Sequence, residues 1–119
     1  MTTSTLVLNL NRKTSEQVAI HKSEADAHGV CHYYCLSPKT GRFNHLIFQQ
    51  GPRKEVGING ITLDDVVAVA IDHIEGWQAT PFACEQNDAI LGHLNAILDL
   101  CNDRHADREA RGVKGTSNP

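Results

Sequence analysis

The sequence predicts an α+β fold in which a small antiparallel β-sheet precedes an antiparallel hairpin of two helices. Two observations support this class. Short runs that alternate apolar and polar residues occupy the first 50 residues, as half-buried strands do. Beyond residue 61 the apolar residues recur at steps of three and four, which is the period of an amphipathic helix.

Four segments in the first part of the chain have strand character, and a turn-forming stretch, Ser37–Gly41, separates the last two. The predicted strands are residues 5–10, 17–21, 30–36 and 43–49. Residues 51–61 form a glycine-rich loop, for which a plain connector is the favoured interpretation.

The rest of the chain predicts two helices and a tail. Thr62 is a suitable N-cap for the first helix, with Asp64 and Asp65 in its first turn. The second helix runs over residues 83–111, and Gly112 is a typical stop residue. We expect one domain over residues 1–119. Its parts are the sheet (1–50), the loop (51–61), the hairpin (62–112) and a tail (113–119).

The second helix carries a stripe of residues spaced alternately three and four apart, as in a helix-packing seam. The middle of the stripe is apolar and its C-terminal end carries arginines, which bind phosphate through a planar fork of donors. The alternative is an ordinary amphipathic helix whose arginines are solvated or paired with carboxylates. The stripe consists of Asn87, Ile90, Leu94, Ile97, Cys101, Arg104, Arg108 and Arg111.

The two polar ends of this stripe cannot meet within one straight helix. Asn87 and Arg104 lie about 25 Å apart along the helix axis. An antiparallel pairing of two copies, centred between Leu94 and Ile97, would set Asn87 against Arg104 of the partner subunit. We therefore predict a two-fold dimer with two equal sites.

Bulk properties exclude several classes of function. The formal charge of −3 argues against a general DNA or RNA surface. No apolar run approaches the roughly 20 residues of a membrane span, and the N-terminus lacks the basic leader of a signal peptide, so we expect a cytoplasmic protein with reduced cysteines. Cys31 and Cys35 would lie about 13 Å apart along a strand, too far to share a zinc ion. No metal or cofactor is expected.

No catalytic motif is present in the sequence, so an enzyme is not predicted, whereas a binding site is better supported. Trp77, the only tryptophan, could stack on a nucleobase. For Phe82, packing inside the hairpin is the favoured interpretation. Asn87 could hydrogen-bond a base edge or ribose, and the arginines could contact phosphate.

Two stretches of the hairpin resemble a known family. They are IDHIEGWQATPFACEQN, residues 71–87, and RHADREARGVKGT, residues 104–116. Both are similar to the helical hairpin of the phage sponge proteins of the Thoeris and CBASS anti-defence families. FQQGPRKEVGING, residues 48–60, and the preceding sheet match the Thoeris family better, because the CBASS family lacks the sheet. One departure is Glu85-Gln86, where hairpins of this family often carry arginine.

The resemblance implies a protein that sequesters a cyclic nucleotide immune signal without cleaving it. In the Thoeris family the signal is a glycocyclic ADP-ribose, and members assemble as dimers and hexamers. Some members also bind the cyclic oligonucleotides of CBASS, in particular cyclic trinucleotides, at separate sites. Carried over by position, the ADP-ribose pocket falls on Trp77, Asn87, Arg104, Arg108 and Arg53. The second nucleotide site falls on Arg108, Arg111 and Thr116.

Two other functions remain open from the sequence. The hairpin could be an interaction module that binds a host protein, with its arginines in salt bridges at the rim. Less favoured is a hydrolase of cyclic nucleotides.

Overall fold

The computed structural model describes residues 6–8 and 10–119 and confirms the α+β class. The chain forms two compact units, Met1–Gln50 and Gly51–Pro119. The prediction that both belong to one domain stays a prediction, and each unit is described separately below.

The first unit contains a four-stranded antiparallel sheet whose strand order follows the sequence. Each strand therefore pairs with its sequence neighbour. The predicted first strand included Thr5 and Asn9, which lie outside the described residues, and Leu10 already turns away with a φ of 51°. The strands are β1 (Leu6–Leu8), β2 (Val18–Lys22), β3 (Tyr33–Pro38) and β4 (Asn44–Ile47).

Strand β3 begins at Tyr33, three residues later than predicted, because Asp26 organises the preceding residues into a turn. Its carboxylate accepts the main-chain N–H groups of His28 at 2.8 Å and Val30 at 3.1 Å. It also lies 2.6 Å from Nε2 of His32. The hydrogen bond from His32 and those from the turn lower the pKa of Asp26 to about 2. A residue committed to this turn cannot pair in the sheet.

The two faces of the sheet differ in chemistry. Cross-strand pairing of His21, Cys35 and His45 sets these residues in one row across β2, β3 and β4. Side chains alternate between the two faces along each strand. The residues immediately before and after these three therefore line the opposite face of the sheet. That face is apolar and surrounds a cavity of about 290 Å³. It is lined by Leu8, Ile20, Tyr34, Leu36, Leu46 and Phe48.

The second unit opens with a short helix, α1 (Arg53–Val56), where the sequence analysis favoured a plain connector. Pro52 precedes the helix in an extended conformation, which suits its fixed φ. Gly57 ends the helix with a φ of 78°, a value that glycine adopts without strain. A single turn of this length has no apolar period that the sequence could reveal.

The hairpin consists of α2 (Leu63–Gln78) and α3 (Glu85–Ala110), joined by residues 79–84. Thr62 is the N-cap of α2, as predicted, and its main-chain N–H donates to the Asp65 carboxylate at 2.9 Å. Helix α3 ends close to Gly112, whose φ is 71°. Within the described residues, neither helix is long and apolar enough to cross a membrane.

Helix α3 packs on α2 through a regular stripe that includes Leu91, Leu94 and Leu98 and reaches Cys101. Cys101 and Val67 of α2 are each 4% exposed, and they are the buried hydrophobic residues of the described chain. Two helices alone thus enclose a thin core, and their other surfaces remain accessible to solvent.

A polar contact closes the open end of the hairpin. Asp64 of α2 lies 3.0 Å from Nε2 of His105 and 4.0 Å from the Arg104 guanidinium. Burial alone would raise the pKa of Asp64. Hydrogen bonds from its own main-chain N–H and from His105, with the charges of His105 and Arg104, bring it below its ordinary value.

We predict that Val67→Ala lowers the free energy of unfolding by about 2 kcal/mol, because two buried methyl groups are lost and a cavity remains. Val69→Ala, on the same helix but 70% exposed, is the control and should change stability by less than about 0.5 kcal/mol. Urea unfolding followed by helical circular dichroism measures both. Equal effects would contradict the assignment of Val67 to the core.

The Asp64 contact predicts a pH dependence of stability. Because the folded pKa is below the ordinary value of 3.8, the contribution of Asp64 is complete above that pH and is lost as the pH falls below it. Asp64→Asn should therefore be less stable than the native chain at pH 7, and this difference should shrink as the pH falls to 2.5. Asp72→Asn, an exposed change on the same helix, is the control. A stability difference that stays constant from pH 7 to 2.5 would contradict this assignment.

Candidate ligand-binding site

The stripe predicted from the sequence divides between two faces of α3. Leu94 and Cys101 face α2, so the expectation that the whole stripe is free to pack against a second copy is wrong for these two residues. Ile90, Ile97 and Arg104 lie one step further around the helix and are exposed. The exposed part of the stripe therefore borders the buried part.

The large apolar residues that are exposed on the two helices, apart from Val69, lie on the same side of the hairpin. Each residue rotates about 100° around its helix axis. For each residue we take the angle around its helix axis, measured from the buried stripe of that helix. By this measure Trp77 on α2 is rotated in the same sense as Ile90 and Ile97 on α3. Equal rotations in two antiparallel helices lead to one common face, which we call the apolar face. Its members are the exposed residues Leu63, Trp77, Ile90, Ile97 and Leu100 and the half-buried Val66.

The opposite side of the hairpin is polar. The same geometry gives this side residues rotated in the other sense, and these are mainly carboxylates and amides. Single exposed apolar residues are ordinary on protein surfaces, but a face that is apolar along two helices marks an interaction site. The polar residues are Asp72, Glu75, Asp88, Asn95, Asp99 and Asn102.

Two aromatic rings stand at the bend of the hairpin. Trp77 and Phe82 are 45% and 73% exposed, and their ring centroids lie 5.7 Å apart in an edge-to-face arrangement. The favoured sequence interpretation of Phe82, packing inside the hairpin, is therefore wrong. The His73 ring also lies edge to face with Trp77, at 6.4 Å between ring centroids. The pair offers exposed π-faces of the kind on which nucleobases stack.

Gln78 holds this bend in place, a role that sequence reasoning missed. Its side-chain amide donates to the Cys84 carbonyl and to the Asp88 carboxylate, each at 2.9 Å. Its carbonyl accepts the Cys84 N–H at 3.0 Å. A polar residue on the buried stripe of α2, next to the bend, was the signal that could have revealed it.

The predicted ADP-ribose residues occupy two ends of the hairpin. Trp77 and half-buried Asn87 lie at the bend. The Arg104 side chain, 57% exposed, lies near the open end of the hairpin with Arg108. Arg53 lies on α1, where the N–H of the next residue bonds the Gly115 carbonyl of the tail at 3.0 Å. One chain therefore does not bring these residues together.

The residues of the predicted second nucleotide site, Arg108, Arg111 and Thr116, lie together at the C-terminal end of the hairpin. The Arg108 guanidinium donates to the main-chain carbonyls of Val113 at 3.0 Å, Thr116 at 3.4 Å and Asn118 at 3.0 Å. Arg111 bonds the Asp107 carboxylate at 3.0 Å. The arginines of this end are thus engaged with the protein itself.

Metal chemistry finds no support in the described residues. Among residues 6–8 and 10–119 no group of three potential ligands from His, Cys, Asp and Glu is arranged to hold a metal ion. The four cysteines are free thiols.

Comparison with known proteins identifies the relationship of the chain. No protein-family model matches it. Among curated proteins it is similar to Thoeris anti-defense 1 of Bacillus phage SBSphiJ7, with 37% identity over 76 residues. The match covers 64% of this chain and 54% of that protein, so the chain spans about half the length of the curated relative it matches. The chain is therefore similar to a Thoeris anti-defence protein, and the resemblance predicted from the sequence is confirmed.

Proposed function

We propose that the protein is a phage anti-defence sponge that binds a glycocyclic ADP-ribose in the cytoplasm of the infected host and does not cleave it. One observation carries this proposal. The exposed Trp77–Phe82 pair lies at one end of the apolar face, and Arg104 lies at the other end. Stacking surfaces and a guanidinium are the groups that recognise a nucleobase and a phosphate. The kinship with Thoeris anti-defense 1 of a Bacillus phage supports an anti-defence role.

The proposed site is shared by two chains. Trp77 and Arg104 are too far apart in one hairpin to hold one small ligand, since the helix between their levels is about 25 Å long. Two copies that pack antiparallel through Ile90, Ile97 and Leu100 would bring the bend of one chain to Arg104 of the partner subunit. Burial of this apolar face provides the driving force for the dimer. Hexamers or larger assemblies would build on this dimer.

The same dimer gives Asn87 a place beside the shared site. Asn87 lies in the first turn of α3, beside the bend, and is half-buried. From there its amide would serve the ribose or base edge. Arg108 and Arg53 stay predicted ligand residues of this site, and cyclic oligonucleotides stay the predicted ligands of the second site at Arg108, Arg111 and Thr116.

Ligand recovery tests the proposal against its two rivals. The protein is incubated with glycocyclic ADP-ribose while Trp77 fluorescence is followed, then filtered to remove free ligand, denatured by heat and assayed. We expect quenching of the fluorescence and return of intact ligand. Return of linear products would establish a hydrolase. A protein that retains no ligand would contradict the sponge and favour an interaction module.

We predict that Ile97→Asp converts the dimer to a monomer and weakens ligand binding at least tenfold, because a carboxylate would be buried in the shared face. Val69→Asp is the control, at an apolar position outside the apolar face that is more exposed than Ile97 (70% against 38%), and it should leave both properties unchanged. Light scattering and calorimetry measure assembly and affinity. A monomeric native chain with full affinity would contradict the shared site.

A further inference from the structure

One carboxylate oxygen between the two helices of the hairpin is buried but poorly satisfied. Oδ2 of Asp64, in the first turn of α2, lies 3.0 Å from Nε2 of His105 on α3. Oδ1 of the same carboxylate is buried, and within residues 6–8 and 10–119 no other residue donates a hydrogen bond to it. A buried acceptor without a donor costs stability, so this oxygen calls for a physical explanation.

The cation beside this oxygen is the Arg104 guanidinium, whose Nη2 atom lies 4.0 Å away. Arg104 directly precedes His105 in α3, so Asp64 faces both side chains at once. Arg104 also differs from the two arginines that follow it along the stripe. Arg108 donates to carbonyls of the tail and Arg111 pairs with a carboxylate of its own helix, whereas Arg104 donates no hydrogen bond within the part of the chain that the structure describes.

The two partners of this contact differ in exposure. The Asp64 side chain is 20% exposed and the Arg104 side chain 57%. Although burial opposes ionisation of Asp64, its hydrogen bonds and the charges of His105 and Arg104 keep its pKa below 3.8, so the carboxylate is charged at neutral pH. A guanidinium carries five N–H donors, and most of those on Arg104 therefore remain available beyond the carboxylate.

We propose that Asp64 is a positioning residue that orders the Arg104 guanidinium at the edge of the apolar face, where its outward donors meet the phosphate of a nucleotide. The inference rests on the proposed function, because it concerns the role given there to Arg104. Nη2 would approach Oδ1, and the N–H groups on the other side of the fork would remain for the ligand. A long side chain that is held in advance loses less entropy on binding. Because Oδ1 is buried, Asp64 acts through Arg104 and does not itself contact the ligand.

Side-chain relaxation of the ¹⁵N-labelled protein without ligand tests the ordering step. We expect the Arg104 Nε–H to be restricted in the native chain and more mobile in Asp64→Asn, because the amide has no charge to attract the guanidinium. His105→Ala is the matched control, since it breaks the same contact between the helices but leaves the Asp64 carboxylate facing Arg104. In this variant Arg104 should stay restricted. Equal mobility of Arg104 in the native chain and in Asp64→Asn would overturn the inference, whatever the ligand result.

Calorimetry with glycocyclic ADP-ribose tests the consequence for binding, at a temperature where circular dichroism shows every variant to be folded. Asp64→Asn should weaken binding about threefold to fivefold, the effect expected of a partly exposed ion pair. His105→Ala should bind with near-native affinity. In an Arg104→Gln background Asp64→Asn should have no further effect, because a residue that acts only through Arg104 has nothing left to position.

The outcomes of this experiment are distinct. Equal losses in Asp64→Asn and His105→Ala would assign Asp64 to helix packing alone and overturn the positioning role. Tighter binding by Asp64→Asn would make the carboxylate a competitor for Arg104, and a further loss in the Arg104→Gln background would place its action elsewhere. Either result would also overturn the role. A native chain that binds no ligand would contradict the proposed function, and the relaxation measurement would still decide whether Asp64 orders Arg104.

Discussion

The packing of α3 against α2 is the constraint on which the rest of the second unit depends. Each helix covers one stripe of the other, and because the unit has only two long helices, no further element of the hairpin covers the adjacent stripe. Val67 and Cys101 form the thin core, whereas Ile97 remains on the surface. In the proposed dimer, burial of the exposed apolar face would add to this thin core.

Polar contacts at the two ends of the hairpin keep that face in a defined shape. At the bend, Gln78 bridges the end of α2 and the start of α3, which fixes the position of Trp77. At the open end, Asp64 joins the two helices through His105. Both contacts are local and polar, so they set the geometry of the hairpin without covering the apolar surface between them. The arginines beyond the open end are partly engaged by the tail, which limits how many can meet one ligand.

The sequence predicted the elements better than their orientation. Residue periods revealed four strands and two helices, and Thr62 marked the start of α2. On α3, however, the row of residues through Ile90 and the adjacent row through Leu91 are both apolar. The spacing of apolar residues alone does not decide which of the two rows faces α2. That choice depends on the crossing of the helices and on the bend held by Gln78. The Asp26 turn and helix α1 also escaped prediction, because single side chains and one helical turn leave no periodic signal.

The prediction of the site residues was limited in the same way, because a sequence shows which residue types are present but not which of them meet in the fold. Residue type and resemblance selected Trp77, Asn87 and Arg104, and the structure adds the exposure of Phe82 at the bend. Chain connectivity set Arg53 beside the tail instead of beside Trp77. The contact joins Lys54 to Gly115, 61 positions further along the chain, and such a contact has no signature in a single sequence. The charge of the ending was visible in the sequence, but its engagement with main-chain carbonyls was not.

Complementation between two inactive variants tests the shared site most directly. Trp77→Ala removes the stacking surface and Arg104→Ala removes the phosphate contact, so each homodimer should bind glycocyclic ADP-ribose at least tenfold more weakly than the native protein. In a mixed dimer, Trp77 of the second variant faces Arg104 of the first, which restores one native site. Calorimetry of the refolded one-to-one mixture should therefore recover native affinity, with about one ligand for every four chains when the two variants pair at random. A mixture that binds no better than either variant alone would show that Trp77 and Arg104 act within one chain or not at all.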